Sequence, residues 1–236
     1  MKKILAVFQN DLKNITRELM LIYIMFIPII FAILIRYGVP ILREEFLEKF
    51  DLVNYYPLIT GYFILLVPVL IGIVAGFLVL DERDEGIVQV LILTPLSKKG
   101  YLIYRIFMPM LISLFYILIL TPVLGLVEVS IRSLIILGLL SMLESPITAL
   151  FLTAFAGNKV EGLAFSKGLG LLMLLPLLRF SKSKWTILLI LIPFYWPVQG
   201  FLVIGEQGFY LSILAGFLVH LLFLFILVKK FKARLI

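Results

Sequence analysis

The chain has no cysteine and a single histidine. The first absence excludes disulfides, thiolate metal sites and a cysteine nucleophile. The second, with no H-E-x-x-H or related spacing, leaves no metal-site candidate. There is also no G-x-x-x-x-G-K-[ST] phosphate loop, so no nucleotide site of that type. Charge is scarce: 15% of the 236 residues, against about 25% in a soluble domain. What is abundant is apolar. Such residues make up 63% of the chain, and the mean hydropathy is +1.17. A core of this size cannot hide that excess, so lipid must be the solvent for much of it. The net charge of +7 does not suggest nucleic acid, because the basic residues flank apolar runs instead of forming one stripe.

The runs define an all-α integral membrane protein, read as one transmembrane domain over 1–236. In residues 1–19, Ile4, Phe8, Leu12, Ile15 and Leu19 recur at spacings of three and four, with Lys2, Lys3, Lys13 and Arg17 elsewhere. That is the pattern of an interfacial amphipathic helix. A signal peptide is excluded by the short apolar run, which ends at Gln9-Asn10-Asp11, and by the lack of a small-residue cleavage site. Spans are expected at about 20–42, 57–80, 101–127, 134–156, 163–178 and 209–228. Pro68 is expected to kink the second, which also carries Gly72-Ile-Val-Ala-Gly76, a small-xxx-small step for close helix approach. Ser97 is placed to cap the third.

Hydropathy alone gives a seventh run at 185–205. Charge decides against seven crossings. The N-terminus, the 81–105 link, the 157–167 link and the C-terminal tail hold fourteen of the 21 Lys and Arg residues. Six spans put all four on the cytoplasmic side; seven would put the basic tail outside. Residues 185–205 hold Pro193, Pro197 and Gly200, which break a straight helix at mid-depth, and are expected to form a re-entrant hairpin. The rival reading makes 185–205 the fifth span and keeps 157–184 inside.

The link 81–99 is too rich for a plain connection. Four carboxylates and Arg83 fall within Asp81–Glu85, followed by an apolar run and then Thr94-Pro95. One reading is a solvated helix end, where charge complements the dipole. The other is a cytoplasmic coupling helix over about 85–93, stopped at Thr94 because the residue before proline disfavours helix. Glu82-Arg83-x-Glu85-Gly86, then Leu91 and Thr94-Pro95-Leu96-Ser97, resembles the cytoplasmic motif of ABC-2 type transporter permeases, with Ile87 where that family usually has threonine. Asn158-Lys159-Val160-Glu161-Gly162 resembles a drug-export subgroup of these permeases that includes fluoroquinolone exporters. The resemblance implies six spans, a coupling helix between spans two and three, and a re-entrant hairpin between five and six. It further implies a permease pairing as a homo- or heterodimer in the plasma (inner) membrane, with both termini cytoplasmic. A separate cytoplasmic ABC ATPase subunit would carry the ATP and Mg, so this chain would have no cofactor and no catalytic residue. Glu82, Arg83, Glu85, Gly86, Leu91, Thr94 and Pro95 are the implied coupling residues, and the cargo would be a drug or lipid-like small molecule.

Glu144 is the costliest residue, about ten residues into the fourth span and so roughly 15 Å deep. Ser141, Ser145 and Thr148 extend a polar face around it, and His220 lies at similar depth in the last span. These five are translocation-pathway candidates. The competing reading pairs Glu144 with His220 purely to fix helix packing. Two other classes stand beside the exporter: an ion-coupled secondary transporter using Glu144, and an intramembrane enzyme with a Glu144–His220 acid–base pair.

Overall fold

The computed structural model describes residues 2–87, 97–181 and 183–234, and every regular element among them is helical. The helices are α1 (Lys2–Arg17), α2 (Leu19–Phe46), α3 (Tyr56–Asp84), α4 (Ser97–Leu124), α5 (Ile131–Ser141), α6 (Glu144–Phe155), α7 (Lys159–Leu172), α8 (Tyr195–Leu202) and α9 (Phe209–Arg234). Short 3₁₀ segments occupy Leu52–Tyr55, Leu175–Phe180 and Lys184–Leu191. Six stretches are long and apolar enough to cross a bilayer: 19–46, 52–84, 99–124, 131–155, 159–180 and 209–233. The protein is therefore a multi-pass membrane protein.

The bundle is built around α3. Most of its apolar window is buried (83%), whereas that of the fifth stretch is almost bare (11%). Lipid solvates apolar faces as a protein interior does, so apolarity alone does not place α3 inside: α2 and α9 are also strongly apolar yet face mostly outward, and close packing against the small residues of α3 makes the difference. The Gly72 and Gly76 step is where α6 meets α3: a Cβ at Gly72 would come within 2.6 Å of Thr148 Cβ, and one at Gly76 within 2.9 Å of Leu152 Cδ1. No larger residue fits at Gly72 without moving α6. α3 continues unbroken through Pro68.

The fourth span differs from the single helix expected over 134–156. It is two helices, α5 and α6, separated at Met142–Leu143. The cause is Pro146, which has no N–H to offer the Met142 carbonyl. That carbonyl is instead satisfied by the Ser145 amide at 3.3 Å and the Ser145 hydroxyl at 2.8 Å. A second break follows α7. Segments Lys184–Leu191 and α8 meet at 109° around Pro193, and Ile192 before it is extended, as a pre-proline residue prefers.

Both chain ends lie at one end of the bundle, with the close of α3 and the start of α4. Asp11 reaches Arg105, Phe231 packs with Tyr101 and Leu102, and Lys230 Nζ lies 3.5 Å from the Phe155 ring centroid. The opposite end is tied by Arg36 Nη1 donating to the Val123 carbonyl at 2.6 Å and by Arg43 pairing with Asp51 at 2.8 Å.

Candidate functional site

Residues 81–84 are the last turn of α3 and not a separate element. Glu85 closes the helix, and Gly86, at φ +71°, takes the left-handed position that terminates it. Leu91, Thr94 and Pro95, with most of the helix expected over 85–93, fall outside the described residues. Ser97 Oγ accepts from the Gly100 amide at 3.4 Å, in the sense of a cap.

Successive residues on a helix point about 100° apart, so four in a row sweep the full circle. Here each of the four finds a target on a neighbouring helix. Asp81 accepts from Lys159 Nζ at 2.8 Å, and the same ammonium holds both oxygens of Glu18. Glu82 accepts from Tyr101 Oη at 2.7 Å and pairs with Arg105 on α4. Arg83 donates to the Thr153 and Ala156 carbonyls at 3.1 and 2.6 Å, where a cation complements the C-terminal end of the α6 dipole. Asp84 accepts the amide of Lys159, at the positive N-terminal end of α7. Glu82 and Arg83 therefore make their bonds inside this chain, while Asp84 and Glu85 are exposed.

Arg105 extends this node to α1. It donates to both oxygens of Asp11 at 2.8 and 3.1 Å, and Tyr104 Oη donates to Asp11 at 2.6 Å. Two carboxylates thus share one guanidinium, all three residues being buried. Sequence reading missed this triad, although signals were present. Asp11 lies three residues after Phe8 and four before Ile15, on the apolar stripe of α1. Tyr101, Tyr104 and Arg105 share one face of α4 at spacings of three and four. Alongside runs a groove of about 400 Å³ between α1, α2, α3 and α4, with Asp11, Tyr104 and Arg105 among its walls.

The mid-bundle candidates do come together. His220 Nε2 lies 3.1 Å from Glu144 Oε1, and both side chains are fully enclosed. His220 Nδ1 is 2.7 Å from the Gly216 carbonyl, which can only accept, so Nδ1 carries a hydrogen. One proton then remains to be shared between Nε2 and Oε1. Ser141 and Ser145 spend their hydroxyls on the backbone carbonyls of Leu137 and Met142. Glu144 Oε2 and Thr148 Oγ1 have no hydrogen-bond partner among the described residues. All five are buried, and the Glu144–His220 contact joins α6 to α9. Among the described residues no group of acidic or histidine side chains could hold a metal ion.

A family profile described as fluoroquinolones export permease protein Rv2686c-like matches residues 11–228. Two curated relatives are similar along nearly the whole chain. They are the fluoroquinolones export permease proteins MT2760 and Rv2686c of Mycobacterium tuberculosis, from strains CDC 1551 / Oshkosh and ATCC 25618 / H37Rv. Each is 33% identical over 238 residues, covering 98% of this chain and 94% of the relative. No solved structure matches.

Proposed function

The chain belongs to the Rv2686c-like family of fluoroquinolone export permeases, and on that premise we propose that it is the membrane-spanning subunit of an ATP-driven drug exporter. The observation that carries this is the 33% identity to named export permeases over 98% of the chain. ATP and Mg bind a separate cytoplasmic ABC ATPase, since this sequence holds no phosphate loop. The permease acts as a homo- or heterodimer in the plasma membrane. The end that gathers both termini also gathers the basic links, and by the positive-inside rule it faces the cytoplasm. α1 lies along that surface, and the bent segment 184–202 dips in from the other side.

The ATPase docks on the link from Glu85 to Pro95, including Gly86, Leu91 and Thr94. Glu82 and Arg83 pass the motion on from inside. Because residues 81–84 hold α4, the C-terminal end of α6 and the start of α7, and α1 through Arg105, displacing the link moves four helices together. We assign Glu144 and His220 to the joint between α6 and α9. Contact with cargo would require that joint to part during the cycle.

The test is export itself. The chain is co-expressed with a candidate ABC ATPase subunit, and inside-out vesicles are given a fluoroquinolone. ATP-dependent uptake, with ATPase co-purifying, is the expected result. Uptake driven by a proton gradient, abolished by a protonophore and needing no ATPase, would replace the proposal with an ion-coupled transporter. Single cysteines, clean reporters in a cysteine-free chain, check orientation: Ser183→Cys should react with an impermeant thiol reagent from outside and Ser97→Cys only from inside.

A further inference from the structure

The groove beside the Arg105 triad has the shape of an amphiphile. Its wall on α4 runs from Tyr104 to Tyr116, about 18 Å at 1.5 Å per residue. Charge is confined to one end, at Asp11 and Arg105 beside Tyr104, and the far end of the α4 wall holds only the phenol of Tyr116. The body is apolar and lined by Phe8, Phe115 and Tyr116, with Met25 and Met108 as adaptable sulfur contacts. Its volume of about 400 Å³ lies within the roughly 300–1,000 Å³ usual for drug-sized ligands.

We propose that this groove is a lateral binding site for amphipathic aromatic cations, with the cationic group at Asp11 and the ring system among the aromatic and methionine side chains. The inference rests on the export reading and names a cargo class and a place of capture within it. Charge complementarity selects the cation. Asp11 and Arg105 line the polar end, and Glu82, buried behind Arg105 and off the groove wall, shares that guanidinium, so the three groups carry a formal excess of one negative charge. Aromatic walls favour a cation further through their electron-rich faces. A headgroup with a net negative charge meets the excess carboxylate and is disfavoured. Since the polar end faces the cytoplasmic leaflet in that reading, the site also lies where anionic lipids concentrate cationic amphiphiles.

The test uses purified full-length permease in nanodiscs, with no ATPase and no ATP. Rhodamine 6G is the aromatic cation, fluorescein the anionic control and norfloxacin, with its protonated amine, the competitor. Fluorescence polarisation should show saturable rhodamine binding, displacement by norfloxacin and no fluorescein binding. Asp11→Asn should weaken rhodamine binding by roughly tenfold. Ile112→Trp fills the groove away from the ionic triad and should abolish binding, whereas Leu214→Trp on the exposed face of α9 should leave it unchanged. In a second measurement rhodamine should protect Leu12→Cys, the one thiol in that variant, from a maleimide.

Undiminished binding in Ile112→Trp, equal affinity for fluorescein, or an unprotected Leu12→Cys would overturn the proposal. So would displacement of rhodamine by added phospholipid, which would make the groove a lipid site. ATP-driven export by a permease lacking rhodamine binding would refute the groove and spare the export reading. Rhodamine binding without ATP-driven export would do the reverse.

Discussion

The Asp11–Arg105–Glu82 triad and the Glu144–His220 pair are both buried ionisable clusters, yet they solve burial differently. The triad sits at the helix ends. Its two carboxylates accept from Arg105, Tyr101 and Tyr104, and Arg105 cannot give up its proton. The pair sits inside the bundle, with one carboxylate oxygen unpartnered among the described residues. It has an escape that the triad lacks: moving the shared proton to Oε1 leaves two neutral groups. An arginine among carboxylates must stay charged, so carboxylates hold both of its terminal nitrogens, while Nε finds no partner among the described residues. A histidine facing a glutamate can shed its charge instead. Exposure alone does not rank such sites; the ability to become neutral does.

The largest effect should come from Arg105→Met, which strands two buried carboxylates. We expect a loss of about 3–5 kcal/mol, read as a lower melting temperature in detergent. Replacing Asp11, Glu82 and Arg105 together by leucine or methionine should recover most of it, because no buried charge is then left alone. Failure of the triple variant to recover would mean the triad fixes geometry that apolar packing cannot supply.

His220→Leu comes next, at about 1–3 kcal/mol, since it leaves Glu144 without its partner. Glu144→Gln should cost less, under about 1 kcal/mol, because the amide donates to Nε2 as a protonated carboxyl does. If Glu144→Gln is as damaging as His220→Leu, the pair is an ion pair and the contrast with the triad collapses. The double variant with His220→Gln then decides its role, with wild-type melting and wild-type transport removing Glu144 from any cargo pathway.

Lys159→Met tests the partly exposed case. The Lys159 side chain is 29% exposed and faces Glu18 and Asp81, so water already screens the pair. The expected loss is at most about 1 kcal/mol. Asp51→Asn should have the smallest effect. Arg43 holds the Asp51 carboxyl below its ordinary range by a direct hydrogen bond, at a solvated site. A depressed carboxyl contributes stability above its unfolded pKa and loses it as pH falls through the folded value. Wild type should therefore show a slight acid-side loss that Asp51→Asn lacks, measured as melting temperature against pH. A reversed order of Lys159 and Asp51 would break the link between screening and effect.

Six apolar stretches, the broken seventh run and the Glu144–His220 depth match could be read from composition and counting, because bilayer thickness fixes span length. The α5–α6 break was equally visible, in Ser145-Pro146, but a high mean hydropathy conceals a missing N–H. The charged block looked like a solvated or docking surface because charge is usually outside. Its inward use depends on partners 23, 70 and 75 residues away, which no local pattern encodes. Asp11 and Arg105 were hidden for the same reason, being 94 residues apart.

Those separations are also intervals in the making of the chain. At roughly 5–20 residues per second, Arg105 is made about 1–5 s after Glu82, its partner 23 residues earlier. His220 is made 76 residues after Glu144, a wait of about 4–15 s. During that interval Glu144 enters the bilayer with no imidazole to meet it, in a span whose insertion a centrally placed carboxylate penalises by about 2.5–3.5 kcal/mol. His220, on the last helix to be made, ends that interval, so the helix that completes the bundle also completes the pair.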